Sequence, residues 1–196
     1  MLHRKVFFLA LLAAPMLWLM SISELQLISS MLGLGHIHPA SIVTNHPTEI
    51  LVIVVAGPVI EELIFRYGCI RLLSLRLPSW AAVVGSAAVF AASHTQYAVA
   101  NALQLGTLAN IFSGGVALGA AYVCSGTIWA PIAIHVAYNA MTFLIDDVAL
   151  SWFSAGSRFQ GPVSGLFFLF SAVMYAFLCR EWLKQRRASQ TPPLAV

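Results

Sequence analysis

The chain has 196 residues, of which 60% are hydrophobic and only 9% are charged, and its mean hydropathy is +0.86. Soluble globular domains carry about 25% charged residues. Between Leu77 and Ile145 the sequence contains no Asp, Glu, Lys or Arg, and a fold without charge over such a length cannot present its surface to water. The composition therefore excludes a soluble enzyme, a disordered chain and, despite a pI near 9.0, a nucleic-acid binder. It predicts a single-domain integral membrane protein.

Six apolar runs have the length and continuity of transmembrane helices, which need about 20 residues each. Continuous runs favour helices over a barrel, whose strands alternate apolar and polar residues. The sequence thus predicts an all-α, polytopic transmembrane helix bundle in residues 1–185, with a short disordered cytoplasmic tail at residues 186–196. A half-helix in residues 24–35 would raise the number of spans to seven. The six predicted spans cover residues 6–23, 50–73, 80–97, 101–124, 128–145 and 163–179.

The distribution of Lys and Arg predicts the orientation, because these residues accumulate on the cytoplasmic side of membrane proteins. With six spans and both termini in the cytoplasm, only Arg158 lies on the far side. An odd number of spans would place one terminal cluster of basic residues outside, so six spans are favoured. The expected location is the inner cell membrane, with multiple passes. The cytoplasmic segments would hold the basic residues Arg4, Lys5, Arg71, Arg76, Arg180, Lys184, Arg186 and Arg187.

The second predicted span carries charges that a membrane helix normally lacks. Its uncharged part, residues 50–60, is about 16 Å long as a helix and cannot cross a hydrocarbon core of about 30 Å. A full crossing therefore takes Glu61, Glu62 and Arg66 into the membrane, where ionisable residues mark functional sites by default. Glu62 and Arg66 stand at i,i+4 in the order that favours an ion pair, which predicts a structural role for Glu62. Glu61 has Phe65 at i+4, so its unpaired carboxylate is a candidate general base.

Two later spans each carry polar residues at helical spacing. The third span has His94 four residues after Phe90, and the fifth has Asn139 four residues after His135. Polar side chains that face lipid would be left without hydrogen-bond partners. We therefore expect the two histidines, the asparagine and the two glutamates, which come from three helices, to converge on a shared interior cavity.

Glycines and prolines in the same spans predict how these helices pack. Gly115 and Gly119 in the fourth span have the small-x-x-x-small spacing that is typical of closely packed membrane helices. Pro58 and Pro131 each precede a candidate polar residue by about one helical turn. Each proline removes a backbone hydrogen bond and favours a kink, which opens room for water or substrate beside a site.

The three motifs together resemble those of the CPBP family of intramembrane endopeptidases, which comprises CAAX proteases and bacteriocin-processing enzymes. The family pattern is E-E-x-x-x-R, then F-x-x-x-H, then H-x-x-x-N, each on its own membrane helix. Here these motifs are Glu61–Arg66, Phe90–His94 and His135–Asn139, without departure at the signature positions. The resemblance covers about residues 50–145. It implies a glutamic-type protease that hydrolyses a peptide bond near or within the membrane.

Carried over by position, the resemblance implies that Glu61 and His94 activate a water, while His135 and Asn139 stabilise the oxyanion. A carboxylate can accept a proton from water, an imidazole can orient that water, and an amide or imidazole can donate to an oxyanion. The implied partners are the lipid bilayer and a membrane-bound protein or peptide substrate, and no nucleic acid. The supporting residues would be Glu62, Arg66 and Phe90.

Three alternatives stay open at this point. Glu61, His94 and His135 also fit a zinc site of two histidines and one carboxylate, although the sequence lacks H-E-x-x-H, and we favour the scheme without metal or cofactor. A small transporter would also place ionisable residues in its interior, but no internal repeat supports one. A non-catalytic immunity-type membrane protein would have an altered motif residue, and none is altered.

Overall fold

The computed structural model describes residues 2–31, 46–95, 102–153 and 160–190, and within these residues the chain is helical with short turns and no strand. The prediction of an all-α fold is therefore confirmed. Six helices follow one another and correspond to the six predicted spans. In chain order they are α1 (Leu2–Met31), α2 (residues 47–73), α3 (Ser79–Ser93), α4 (Ala102–Ser125), α5 (Trp129–Phe153) and α6 (Gln160–Gln190).

Several helix ends differ from the predicted limits. α1 continues past residue 23 to Met31, because its polar residues Ser21 and Glu24 find hydrogen-bond partners on α4. α3 ends at Ser93, so that His94 lies in the turn that follows. α6 continues through residues 186–190, which the sequence analysis assigns to the tail. The segments 32–35 and 191–196, together with Arg158, lie outside the described residues.

α2 is one continuous helix that contains two wider, π-helical segments. The π-helical segments are Val52–Ala56 and Leu63–Ile70. They alternate with α-helical turns, and the residues at each junction keep right-handed helical backbone angles. Segments of π-helix are rare and occur frequently at functional sites. The first one directly precedes Gly57 and Pro58, where a proline without an N–H is expected to disturb the helix. The α-helical turns are Pro47–Leu51, Gly57–Glu62 and Arg71–Leu73.

The outer surface of the bundle is apolar, as a lipid environment requires. Three helical segments among the described residues are long and apolar enough to cross a membrane: Val6–Ile28, Gly106–Ser125 and Pro162–Ala188. Ser79–Ser93 is equally apolar but shorter. Large apolar side chains such as those on α6 point outward, where a soluble protein would expose charge. These features are those of an integral membrane protein. The outward-facing residues of α6 include Leu166, Leu169, Phe170 and Phe177.

Two apolar clusters hold the helices together. The larger cluster joins α1, α4, α5 and α6, and the smaller joins α2 to α3. Both clusters contain alanine, a small residue that lets membrane helices approach each other closely. The larger cluster includes Ala10, Leu17, Ala121, Ile134 and Trp182, and the smaller one consists of Ile70, Ala82 and Val83.

α3 and α4 approach each other at two glycines, as the spacing of these residues predicts. A Cβ atom at Gly119 would lie 2.8 Å from Cγ1 of Val83, and one at Gly115 would lie 3.1 Å from Cβ of Ala87. A Cβ at Gly119 would require Val83 to move, and one at Gly115 would require its neighbours to shift by a few tenths of an ångström. This close approach places Phe90 of α3 against α4 and beside the interior cavity.

Candidate active site

The four predicted catalytic residues line one interior cavity of about 350 Å³. Glu61 comes from α2, His94 from the turn after α3, and His135 and Asn139 from α5. Nε2 of His94 lies 3.6 Å from Oε1 of Glu61, and Nε2 of His135 lies 3.8 Å from Oε2 of Glu61. Two imidazoles from different parts of the chain therefore face the two oxygens of one carboxylate, as expected. Glu62, which was expected at the same cavity, is fully buried and does not line it.

Glu62 and Arg66 form the predicted ion pair beneath this cavity. Nε of Arg66 lies 3.2 Å from Oε2 of Glu62, and their side chains are 1% and 0% exposed. Glu61, by contrast, is 30% exposed and faces the cavity. The guanidinium carbon of Arg66 lies 4.6 Å above the centre of the Phe90 ring, and its Nη2 donates to the carbonyl of Gly115 at 3.4 Å. The buried charges thus neutralise each other and tie α2 to α3 and α4.

His135 makes a contact that the spacing of residues within one helix does not reveal. Its Nδ1 lies 2.8 Å from Oε1 of Glu62. Because a carboxylate paired with Arg66 only accepts hydrogen bonds, Nδ1 of His135 carries the hydrogen. The imidazole therefore stands between the two adjacent glutamates, with Nδ1 toward Glu62 and Nε2 toward Glu61.

His94 is oriented by the backbone of α3, the helix that precedes it. Its Nδ1 lies 2.8 Å from the carbonyl oxygen of Phe90. A carbonyl only accepts, so Nδ1 carries the hydrogen, and in the neutral ring Nε2 presents its lone pair to Glu61. The Phe90 ring packs against both histidines, with ring centres 4.5 Å from His94 and 6.3 Å from His135. Phe90 therefore restricts the positions of both imidazoles.

Asn139 is bonded to the first π-helical segment of α2. Its Nδ2 donates to the carbonyl oxygen of Ile53 at 3.0 Å. In this segment the N–H of Gly57 bonds to the carbonyl of Val52, five residues earlier. The same pattern would pair Ile53 with residue 58, but Pro58 has no N–H. Asn139 supplies the missing donor, and its amide nitrogen carries a second hydrogen that can serve a group in the cavity.

A second polar group, which the sequence motifs did not indicate, lines the same cavity. It consists of side chains from α1, α4 and α5. Asn110 carried the clearest signal, because a polar amide within an uncharged membrane helix marks a functional position by default. Serine is common in membrane helices, so Ser21 carried no comparable signal. The members of this group are Ser21, Asn110, Ser113 and Tyr138.

The fold and the cavity define a class of protein, namely an all-helical membrane protein with a carboxylate and two imidazoles in its interior. The family model described as type II CAAX prenyl endopeptidase Rce1-like matches residues 43–141, just over half of the chain. The chain belongs to this family, which confirms the resemblance found in the motifs. Membership implies a membrane protease of the CAAX type. No curated protein and no solved structure matches the chain.

The matched residues contain the whole candidate catalytic group. They run from just before α2 into α5. α1 and α6 lie outside them, although α1 contributes Leu17, Met20 and Ser21 to the wall of the cavity. The cavity is therefore built from the family segment together with a helix that the family model does not include.

Proposed function

We propose that this protein is an intramembrane endopeptidase in which Glu61 and His94 together activate the attacking water. The observation that carries the proposal is the 3.6 Å separation between Oε1 of Glu61 and Nε2 of His94, which face each other in the cavity. This separation exceeds a direct hydrogen bond, so a water that donates a hydrogen to Glu61 can also contact His94. The oxygen of such a water directs its lone pairs toward a substrate carbonyl.

The proposed hydrolysis requires few steps from the protein. The water oxygen bonds to the carbonyl carbon as Glu61 takes up its proton, and the same carboxyl then delivers the proton to the leaving amine as the carbon–nitrogen bond breaks. General acid–base catalysis of this kind contributes typically about 10²–10⁴ in rate.

In this scheme His135 and Asn139 stabilise the oxyanion. Asn139 would use the amide hydrogen that is not bonded to Ile53. His135 already donates from Nδ1 to Glu62, so its Nε2 can donate only when the ring carries both protons. Hydrogen-bond donors placed where charge develops in the transition state lower the activation free energy of comparable reactions by about 3–4 kcal/mol.

A zinc-dependent metalloprotease is the second candidate mechanism. One observation favours it, since both histidines donate from Nδ1 to a carbonyl or a carboxylate, as metal-ligating histidines do. Against it, no group of three His, Cys, Asp or Glu side chains in the described segments is arranged to hold a metal ion. We therefore favour the mechanism without metal. Stoichiometric zinc that a chelator removes together with activity would reverse this preference.

We further propose that all six helices span the inner membrane, with both termini in the cytoplasm. The basic residues of α2, of the turn after it and of α6 would then lie on the cytoplasmic side. The described members of this set are Arg71, Arg76, Arg180, Lys184, Arg186 and Arg187.

The substrate class that suits this architecture is a membrane-embedded or lipid-anchored polypeptide. The cavity lies between helices of an apolar bundle, so a peptide bond reaches Glu61 only within or beside the membrane. The name of the family points to a prenylated C-terminus as the first substrate to test. A sorting-signal helix and a peptide leader are the other members of a suitable probe panel.

The test is cleavage of this panel by the purified protein in liposomes, with an internally quenched S-farnesyl-cysteine peptide as the first probe. Glu61→Gln and His94→Ala should each lower the cleavage rate by at least about 100-fold, which is the usual range for a lost general base. Glu49→Gln removes an exposed carboxylate from the start of the same helix and should leave the rate unchanged.

Retained cleavage in both site variants would refute the catalytic assignment. Failure of the wild-type protein to cleave any probe, combined with uptake of a labelled solute into the liposomes, would replace it with the transporter alternative.

A further inference from the structure

The second polar group of the cavity is organised as one hydrogen-bonded network. It comprises Ser21, Asn110, Ser113 and Tyr138, with Glu24 bonded behind them, and we call it the acceptor wall. Oγ of Ser21 lies 2.7 Å from Oδ1 of Asn110 and 2.8 Å from the hydroxyl of Tyr138. Nδ2 of Asn110 lies 3.2 Å from Oε2 of Glu24, and Ser113 donates to the same carboxylate oxygen. The wall thus joins α1, α4 and α5.

The directions of these hydrogen bonds follow from the chemistry of the groups. The amide oxygen of Asn110 can only accept, so Ser21 gives its one hydroxyl hydrogen to Asn110. At the contact between Ser21 and Tyr138, the tyrosine must therefore be the donor. The hydroxyl hydrogens of both residues are consequently committed within the wall.

The remaining donors of the wall are committed in the same way. Asn110 carries two amide hydrogens, and it directs them to the backbone carbonyl of Ser21 at 2.9 Å and to Glu24. Ser113 directs its hydroxyl hydrogen to Glu24. What the wall can offer to a molecule in the cavity is therefore oxygen lone pairs, with a carboxylate directly behind them.

We infer that the acceptor wall is a specificity-determining subsite that binds backbone N–H groups of the substrate and disfavours carboxylates. This inference rests on the proposed endopeptidase function. A peptide bond can be attacked only where the substrate is unwound, and unwound backbone N–H groups inside a membrane need hydrogen-bond acceptors. The wall supplies acceptors in the cavity that contains Glu61 and His94.

The selectivity of the acceptor wall depends on α1, which provides two of its residues and orients the others. Ser21 and Glu24 lie outside residues 43–141, which match the family model. Asn110, Ser113 and Tyr138 lie inside that segment but are oriented by the α1 residues. A substrate whose terminal carboxylate enters the cavity should place that group away from the wall, because a carboxylate needs hydrogen-bond donors and the wall offers only acceptors.

The test compares two probes in two matched variants, and it compares a third probe, with a glutamate next to the cysteine, in Glu24→Gln. The probes are the internally quenched S-farnesyl-cysteine peptide and an analogue methylated at the backbone nitrogen of the cysteine, which removes one N–H without altering the scissile amide. Tyr138→Phe removes an oxygen of the wall. Tyr175→Phe is the control, because its hydroxyl donates to the carbonyl of Ala117 between helices outside the cavity.

We expect the wild-type protein and Tyr175→Phe to cleave the unmethylated probe with a kcat/KM roughly 3- to 10-fold higher than that of the methylated analogue. This ratio is the range expected for one hydrogen bond. In Tyr138→Phe this ratio should fall to about 1. In Glu24→Gln, cleavage of a probe with a glutamate next to the cysteine should improve relative to the parent probe. A merely structural network would change stability and overall rate without moving either ratio.

The possible outcomes distinguish failure of the proposed subsite from failure of the proposed endopeptidase function. Cleavage of both probes at equal rates by the wild-type protein, or the same ratio in both tyrosine variants, overturns the subsite while the endopeptidase function stands. Failure of the wild-type protein to cleave any probe refutes the proposed function and the subsite together.

Discussion

Glu61 and Glu62 are adjacent in the sequence and both face His135, but they differ in burial and in their other partners. Glu62 is buried, with Arg66 at 3.2 Å on one oxygen and His135 at 2.8 Å on the other. Glu61 faces the cavity, with imidazole nitrogens at 3.6 and 3.8 Å. Successive side chains on a helix point about 100° apart, so a single helical turn can provide one structural carboxylate and one that is placed for chemistry.

Removal of Arg66 should destabilise the protein strongly. Arg66→Met leaves the carboxylate of Glu62 buried without its guanidinium, and breaking a buried ion pair costs about 3–5 kcal/mol. We expect the free energy of unfolding, measured by denaturant titration in detergent micelles, to fall by about this amount. Arg71→Met, on an exposed part of the same helix, is the matched control and should change little. Equal stability of the two variants would show that the Glu62–Arg66 pair is not structural.

The sequence predicts some of these residue contacts and not others. The pairing of Glu62 with Arg66 follows from their spacing on one helix, and convergence of the histidines follows from the cost of polar groups in lipid. The bond between His135 and Glu62 does not follow, because it depends on how far α5 is rotated and shifted against α2. Such contacts between helices are determined by packing, which spacing within one helix does not encode.

At the scale of single helices, Asn139 and Pro58 act together. Asn139→Leu should leave the carbonyl of Ile53 without a donor and lower the free energy of unfolding by about 1–3 kcal/mol. Adding Pro58→Ala supplies an N–H that can bond to Ile53 in the π-helical pattern, so the double variant should recover the lost stability. Denaturant titration measures this recovery.

The same pair of variants separates two roles of Asn139. If Asn139 also donates to the oxyanion, the double variant recovers stability but not the rate of probe cleavage. Recovery of both would assign Asn139 to the backbone of α2 alone. Absence of any recovery in stability would contradict the account of the Ile53 carbonyl.

The close contact between α3 and α4 gives a second prediction about single helices, which concerns the stability of two glycine variants. Gly119→Ala places a Cβ 2.8 Å from Cγ1 of Val83, and overpacking of this kind costs about 1–3 kcal/mol. Gly114→Ala is the matched control on the same helix, because no atom lies within 4 Å of its added Cβ. Thermal unfolding should therefore distinguish the two variants, with only Gly119→Ala destabilised. A reversed order would contradict the close packing.

Apolar runs in the sequence predicted the helices well, since each run corresponds to one helix of the structure. Their ends were less predictable. Residues 24–31 remain helical because Glu24 bonds to α4, which no pattern within α1 indicates. The π-helical segments of α2 were not predicted either, because hydrophobic periodicity does not distinguish a local widening from a regular α-helix.

At the scale of the whole molecule, the cavity depends on five helices. α2, α5 and the turn after α3 provide the candidate catalytic residues, while α1 and α4 complete the lining of the cavity. The sequence predicted the first group from its motifs. It did not predict the second group, because Ser21, Asn110 and Tyr138 form a hydrogen-bonded network only when α1, α4 and α5 pack together.

The proposed topology makes a separate prediction for the whole chain. Alkaline phosphatase fused after Val196 should be inactive and green fluorescent protein fused there should fluoresce, because both report a cytoplasmic end. Phosphatase inserted after residue 40, between α1 and α2, should be active. An active phosphatase at the C-terminus would contradict six spans with both termini inside.

The proposed mechanism requires that Glu61 and His94 act on one water. The most direct measurement is the rate of probe cleavage by Glu61→Gln, His94→Gln and the double variant. We predict that each single variant loses at least about 100-fold, and that the double variant loses no more than the worse single one, because groups that act as a unit are not additive. Losses that multiply, or a wild-type rate in either single variant, would contradict the claim.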